Sequence, residues 1–197
     1  MIMIEKLLGF AKMLNELQAV ERVIRVKNAD RWENDMEHFY HLAMLAWYII
    51  DSQQLALDRE KVLRYALAHD LVEVYAGDTY LFSKDKELLD SKPERERLAA
   101  ERLAKEFPEV PEMHDAIFRY VRKDDPESRF VYALDKIEPI IKLYLDGGRT
   151  WKEMHVTLDM AYESKKDKVA LSTEIKAYFD EMMVLLRKEE RALFPEK

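Results

Sequence analysis

The sequence contains no cysteine, and this absence excludes disulfides, thiolate-ligated zinc, iron–sulfur clusters and a cysteine nucleophile. Glycine and proline are also scarce, with 4 and 6 residues among 197. Because these two residues interrupt helices, their scarcity favours helices over sheet structure. The composition therefore predicts a helical protein whose chemistry does not depend on thiols.

Long apolar runs are missing as well. No stretch approaches the ~20 consecutive apolar residues that a membrane-spanning helix needs. The N-terminal segment reaches charged residues at Glu5 and Lys6 and has no signal-peptide pattern. We therefore expect no membrane association and a cytoplasmic location.

Positive charge is in deficit, with 32 Lys and Arg against 39 Asp and Glu and a net charge of −7. Proteins that bind nucleic-acid polymers hold the phosphates with clustered cations, so this balance argues against such a partner. A small phosphorylated substrate remains compatible with the charge, because one or two well-placed arginines can bind it.

Helical periodicity dominates the sequence, which shows no internal repeat and no linker. The length and the lack of a linker predict one domain over residues 1–197. The apolar spacing predicts helices over 4–20, 34–52, 59–75, 92–107, 113–122, 126–145 and 171–191, and no convincing strand. The predicted fold class is all-α, a helical bundle.

Ionisable residues interrupt the apolar faces of three predicted helices. His69 and Asp70 follow the apolar run 62–68, His38 opens the helix over 34–52, and Asp135 lies within 130–137. The His69–Asp70 dipeptide alone would also suit a structural ion pair. Buried ionisable groups are costly unless they are paired or bind a metal. The set predicts a site for one divalent ion, with Mn, Co, Zn, Fe, Ni or Mg as candidates.

Two further carboxylates follow this predicted site along the chain. Glu73 lies four residues after His69, so the two share a helix face, and Asp78 follows the helix terminator Gly77. Near an ion but not required as a ligand, Glu73 would take a proton from an attacking water. The ion would lower the pKa of that water and polarise the electrophile, which is the arrangement that hydrolysis needs.

The order His38, His69–Asp70, Asp135 resembles the HD-domain phosphohydrolase superfamily, whose fold is an all-helical core around that ligand set. The segments 33–38, 69–79 and 133–139 resemble its 5'-deoxynucleotidase branch. The resemblance implies that these four residues bind the metal, that Glu73 activates or orients water, and that Asp78 contacts the sugar side of the substrate.

The resemblance also implies roles for two arginines. Arg22 matches a family arginine that binds the 5'-phosphate, and Arg31 stands seven residues before His38, where a second family arginine lies. Val23 stands where the best-known members have a tryptophan that helps to reject ribose, so the sugar preference stays open. The family further implies a homodimer.

The predicted function is release of phosphate from (deoxy)nucleoside 5'-monophosphates. Alternatives are an HD hydrolase of an alarmone or another nucleotide phosphate, and a non-catalytic metal- or nucleotide-binding module. A two-iron oxygenase would need more histidine ligands than His41, His114 and His155 supply. We interpret His41 as a core residue bonded to backbone, with an orienting role as the alternative. For Lys136 two interpretations remain, a lysine that contacts a substrate phosphate and a lysine exposed to solvent.

Overall fold

The computed structural model describes residues 2–195. Within them the chain forms α1 (Met3–Leu17), β1 (Glu21–Arg25), β2 (Trp32–Asn34), α2 (Asp35–Gln53), α3 (Arg59–Ala68), α4 (Glu73–Ala76), α5 (Lys86–Glu106), α6 (Pro111–Arg122), α7 (Pro126–Leu145), α8 (Arg149–Glu153), α9 (Leu158–Val169), α10 (Thr173–Lys188) and α11 (Glu190–Leu193). None of the helices in this range combines the length and the apolar character of a membrane span.

The first departure from the sequence prediction is a short hairpin between α1 and α2. Strands β1 and β2 pair antiparallel, with Arg22 opposite Glu33. The prediction of no strand is wrong here, because strands of five and three residues are too short to show alternation. The turn between them uses Asn28 with a φ of 60°, a left-handed conformation that asparagine tolerates better than most residues. The hairpin fixes the position of Arg22.

Side-chain caps define where the site-bearing helices begin. Asn34 accepts a hydrogen bond from the backbone N–H of Glu37 at 3.0 Å, and Glu37 accepts one in return from the N–H of Asn34 at 3.1 Å. This reciprocal pair is a capping box. Asp58 and Asp125 cap α3 and α7 with their carboxylates. These caps set the first turns of α2, α3 and α7.

The helix predicted over 59–75 is interrupted. Helix α3 ends at Ala68 and α4 begins at Glu73. Between them the N–H of Glu73 donates to the carbonyl oxygen of Asp70 at 2.9 Å, a three-residue bond typical of 3₁₀ turns. This change of winding lets the adjacent residues His69 and Asp70 face one common point.

Several other boundaries and elements also differ from the prediction. Helix α5 begins at Lys86 instead of 92, because Asp85 caps it. Pro93 therefore lies inside the helix, where it is exposed and water can bond the carbonyl group that loses its partner. The last predicted helix, 171–191, divides into α10 and α11, and α8 and α9 were not predicted.

Helix α7 lies at the centre of the bundle and packs against α2, α3, α9 and α10. Its buried apolar residues join a continuous core that includes Phe130, Val131, Leu134 and Ile137. Two carboxylates, Asp135 and Glu138, are buried in the same helix, with 3% and 0% of their surface exposed. The all-α bundle is confirmed, and it carries a polar centre inside its core.

Candidate metal centre

The four predicted ligands converge from three parts of the chain. His38 comes from α2, and His69 and Asp70 come from the turn after α3. Asp135 comes from α7, and one donor atom from each of the four residues lies within 4.8 Å of the others. The Nε2 atoms of the two histidines are 3.3 Å apart. An oxygen of Asp70 lies 3.1 Å from Nε2 of His69, and an oxygen of Asp135 lies 3.3 Å from Nε2 of His38.

The outer side of each imidazole indicates which nitrogen is free to bind an ion. Nδ1 of His69 lies 3.1 Å from the carbonyl oxygen of Ala66, and Nδ1 of His38 lies 3.3 Å from a carboxylate oxygen of Glu138. A proton on Nδ1 of His69 would face its acceptor, and the charge of Glu138 favours a proton on Nδ1 of His38 although the two atoms do not form a hydrogen bond. Both Nε2 atoms are then left as electron-pair donors. Two unprotonated Nε2 atoms and two ionised carboxylates all offer electron pairs to the same point. This donor set fits a divalent metal ion.

The charges around the cluster favour a cation at the same place. Burial and Arg22 oppose a charge on His38, but Glu138 and Asp135 outweigh them and raise the pKa of His38 to about 9. Burial alone would raise the pKa of Asp135, yet Lys136 and His38 hold it well below its usual value. The carboxylates therefore stay ionised, and the centre has a negative potential that attracts positive charge.

Glu138, which the sequence prediction missed, supports His38 from behind. It is fully buried, and its other oxygen lies 2.8 Å from Nδ1 of His41. The interpretation of His41 as a backbone-bonded core residue is therefore wrong. Glu33, His38 and Glu138 form a second acidic group, but the amino group of Lys142 contacts both glutamates and balances their charge. The spacing of three residues between Asp135 and Glu138 on one buried helix was the available signal.

Two side chains contact the second oxygen of Asp135. The hydroxyl of Tyr120 donates to it at 2.9 Å, and the amino group of Lys136 lies against the same oxygen. Lys136 is thus not a fully exposed lysine. Nothing in the sequence around Tyr120 indicated its role.

A cavity of about 430 Å³ opens beside the ligand cluster, a volume that suits a small organic ligand. Asp70 and Asp135 form part of its wall, together with the predicted substrate and catalytic residues Arg22, Glu73 and Asp78. The structure therefore brings these three residues to one cavity at the metal centre.

Glu73 combines deep burial with an uncommitted oxygen. Only 1% of its surface is exposed, and its Oε1 lies 3.7 Å from the amino group of Lys92. Its Oε2 has no hydrogen-bond partner among residues 2–195. Burial and the neighbouring Asp70 raise the pKa of Glu73 well above its usual value. The raised pKa makes the ionised carboxylate more basic than an ordinary glutamate, and a cation bound nearby would favour that ionised form, so this side chain is suitable as a general base.

The two predicted arginines differ in position. Arg22 is 11% exposed, and its guanidinium lies 3.2 Å from Asp35 and 3.7 Å from Asp70. Arg31 is half exposed and donates to both carboxylate oxygens of Glu37. It does not belong to the cavity wall, so the structure brings Arg22 to the centre but not Arg31.

Comparison with known proteins gives a consistent result. The family model described as HD domain matches residues 14–176. The 5'-deoxynucleotidase HDDC2 of Homo sapiens is 30% identical over 139 residues, which cover 69% of this chain and 66% of that protein, just under two thirds of its length. The protein of the same name from Danio rerio is 26% identical over 193 residues, covering 95% and 89% of the two chains.

Solved structures share the architecture. A predicted metal-dependent phosphohydrolase from Magnetospirillum magnetotacticum MS-1 matches with a TM-score of 0.81 at 27% identity, over 98% of this chain and 96% of that one. A Pyrococcus horikoshii OT3 protein has the same fold, with a TM-score of 0.63 at 22% identity over 94% and 99% of the two chains.

Proposed function

The chain belongs to the HD domain family, and from this premise we propose that it is a metal-dependent phosphohydrolase that releases phosphate from (deoxy)nucleoside 5'-monophosphates. The observation that carries the proposal is the cavity wall, where Glu73 and Asp78 lie beside the ligand cluster. A purely structural ion would need its ligands but no buried carboxylate with a free oxygen next to them. Relatives named 5'-deoxynucleotidase support the substrate class.

We propose one ion, for which the candidates are Mn, Co, Zn, Fe, Ni and Mg. His38, His69, Asp70 and Asp135 would hold it. When bound, a divalent ion supplies Lewis acidity, which lowers the pKa of water and neutralises charge on a phosphoryl oxygen. Which metal is used in the cell depends on availability as well as on the donors.

The side chains around the cavity supply the remaining functions. The free oxygen of Glu73 accepts a proton as water adds to phosphorus and the bond from phosphorus to the 5'-oxygen breaks. That proton is then available to the departing nucleoside oxygen, so the reaction consumes one water. Arg22 adds positive charge near the phosphoryl oxygens, and Asp78 accepts a hydrogen bond from a sugar hydroxyl.

The test is phosphate release by the metal-loaded protein from a panel of ribo- and deoxyribonucleoside 5'-monophosphates. We expect Glu73→Ala to retain bound metal and to lose about 10²- to 10⁴-fold in kcat, the range for a missing general base. Glu94→Ala is the matched control, because Glu94 lies exposed on α5 and pairs with Arg97. Loss of metal from Glu73→Ala with activity retained would show that the role is misassigned.

The same panel separates the proposal from its alternatives. Release of phosphate only from an alarmone or another nucleotide would favour a different HD hydrolase. Tight nucleotide binding without release from any substrate would favour a binding module.

We also propose that the chain acts as a homodimer. Exposed apolar side chains on α2 support this, since such patches are common at protein interfaces: Tyr40, Met44, Trp47 and Tyr48. A monomeric mass in solution at micromolar concentration would contradict it. The single domain over 1–197, whose residues 1, 196 and 197 lie outside the described part, is supported by the continuous core, and the cytoplasmic location stays a prediction.

A further inference from the structure

Helix α9 contributes no proposed metal ligand, yet one of its faces forms part of the cavity wall. The lining residues of this helix are spaced by three and four positions, as residues on one helical face are: Ala161, Ser164, Lys165 and Lys168. Glu163 and Asp167, between them in sequence, are exposed. The helix therefore directs two lysines toward the cavity.

The two lysines differ from the other cations of the cavity wall because their amino groups have no partner. Within the described chain, neither Lys165 nor Lys168 forms an ion pair or a side-chain hydrogen bond. Three of the remaining cations are engaged by carboxylates of the protein: Arg22 by Asp35 and Asp70, Lys92 by Glu73 and Glu96, and Lys136 by Asp135. The fourth, Lys123, donates to the carbonyl oxygen of Val121 at 2.9 Å and lies over the ring of Tyr132. Among the described residues of the cavity wall, the cations whose amino groups have no protein partner are thus the two lysines of α9.

The surroundings of these amino groups disfavour their charged forms. Burial and the nearby Lys136 lower the pKa of Lys165 to about 7, even though Asp135 acts in the opposite direction. Burial and Lys136 also lower the pKa of Lys168. Partly buried cations without a counter-charge destabilise the protein that carries them. An anion in the cavity would remove this cost.

We propose that Lys165 and Lys168 bind the phosphate group of the substrate. A phosphomonoester carries close to two negative charges at neutral pH, and its binding would favour the protonated, positively charged form of both amino groups. Their N–H groups would donate charge-assisted hydrogen bonds to the phosphoryl oxygens. They would act beside Arg22, whose charge is partly balanced by Asp35 and Asp70. The inference rests on the proposed function for the identity of the ligand as a phosphomonoester.

The test is equilibrium binding of inorganic phosphate to the metal-loaded protein, measured by calorimetry for wild type, Lys165→Met and Lys168→Met. We expect each substitution to weaken binding about tenfold or more, as the loss of a hydrogen bond between charged groups does. Lys166→Met is the matched control, because Lys166 lies on the same helix and pairs with Glu163 at 2.6 Å. It should bind phosphate like wild type.

A stability measurement separates ligand binding from a structural role. Because Lys165 is an unbalanced cation, Lys165→Met should leave the melting temperature of the ligand-free protein unchanged or raise it. If Lys165 had a structural role instead, the substitution would lower the melting temperature. If Lys165→Met does not fold, Lys168→Met decides on the same criteria. Unchanged phosphate affinity in both variants, or an equal loss in Lys166→Met, overturns the inference.

Phosphate binding does not require turnover, so the two proposals can fail separately. A wild-type protein that binds phosphate through these lysines but hydrolyses no nucleotide would refute the proposed function alone. An active wild type with unchanged phosphate affinity and unchanged KM in both lysine variants would refute the role of α9 alone.

Discussion

Substitution of Glu138 by glutamine tests whether this buried carboxylate orients His38 for metal binding. Glu138 is fully buried, with one oxygen 3.3 Å from Nδ1 of His38 and the other 2.8 Å from Nδ1 of His41. Glutamine has nearly the same shape, but its single oxygen can accept from only one of the two rings. The NH₂ group then faces the other imidazole and disfavours its Nδ1 proton.

Two magnitudes follow from these contacts. Loss of a carboxylate behind a metal-binding histidine weakens metal affinity by about 10- to 100-fold. The free energy of unfolding of the metal-free protein should fall by about 1–3 kcal/mol, the cost of a buried polar group without its partner. It should not fall by the ~3–5 kcal/mol of an isolated buried charge, because Lys142 also contacts Glu33.

Metal affinity is measured by competition with a chelator, and the free energy of unfolding by urea denaturation. Glu127→Gln is the control, since Glu127 lies on the same helix but pairs with Lys61, at 3.2 Å. It should change stability slightly and metal affinity not at all. If Glu138→Gln binds metal as tightly as wild type, Glu138 does not orient His38 and the reasoning is refuted.

Two further predictions concern stability. Burial alone would raise the pKa of Asp125, but Lys61 and the cap of α7 lower it to about 2, below the value of ~3.9 in an unfolded chain. Its carboxylate therefore stabilises the fold above pH 4, and this contribution disappears as the pH falls toward 2. Asp125→Asn keeps the cap, so the variant loses only the contribution of the charge. Its free energy of unfolding, measured by urea denaturation, should therefore approach that of wild type between pH 5 and 2.5. A difference from wild type that stays constant over this range would contradict the prediction. A Cβ at Gly148, where φ is +72°, would overlap the carbonyl oxygen of Leu193. We expect Gly148→Ala to lose more stability than Gly147→Ala, which has a similar φ but no atom within 4 Å and should lose about 1–2 kcal/mol; equal losses in thermal unfolding would refute the steric argument.

The helices that the sequence predicted well are those with a long apolar face. The helix predicted over 126–145 coincides with α7, in which half of the residues are buried. In α9 only Leu158, Ala161 and Val169 are buried among twelve residues, so its pattern is too weak to recognise. The hairpin was missed for a different reason. Its strands are stabilised by pairing between Arg22 and Glu33, and not by a pattern within either strand.

The residues of the candidate site also include some that the sequence predicted and some that it could not. His38 and Asp135 were visible because an ionisable residue in an apolar stretch is conspicuous. Lys165 lies in a charged segment, where sequence cannot separate a side chain that faces a cavity from one that faces solvent. Arg31 shows the converse, since its position relative to His38 suggested a phosphate contact, while Glu37 binds its guanidinium in the structure.

The proposed ligands lie at positions 38, 69–70 and 135, so an ion bound there would join segments that are far apart in the chain. In a protein without cysteine, such an ion acts as a reversible cross-link, and closing these loops removes entropy from the unfolded state. Unlike a disulfide, this cross-link depends on mass action. A free metal concentration of 100 times the dissociation constant contributes about 2.7 kcal/mol to folding. The metal supply of the cell would then set how much of the protein survives proteolysis, as well as how fast each molecule turns over.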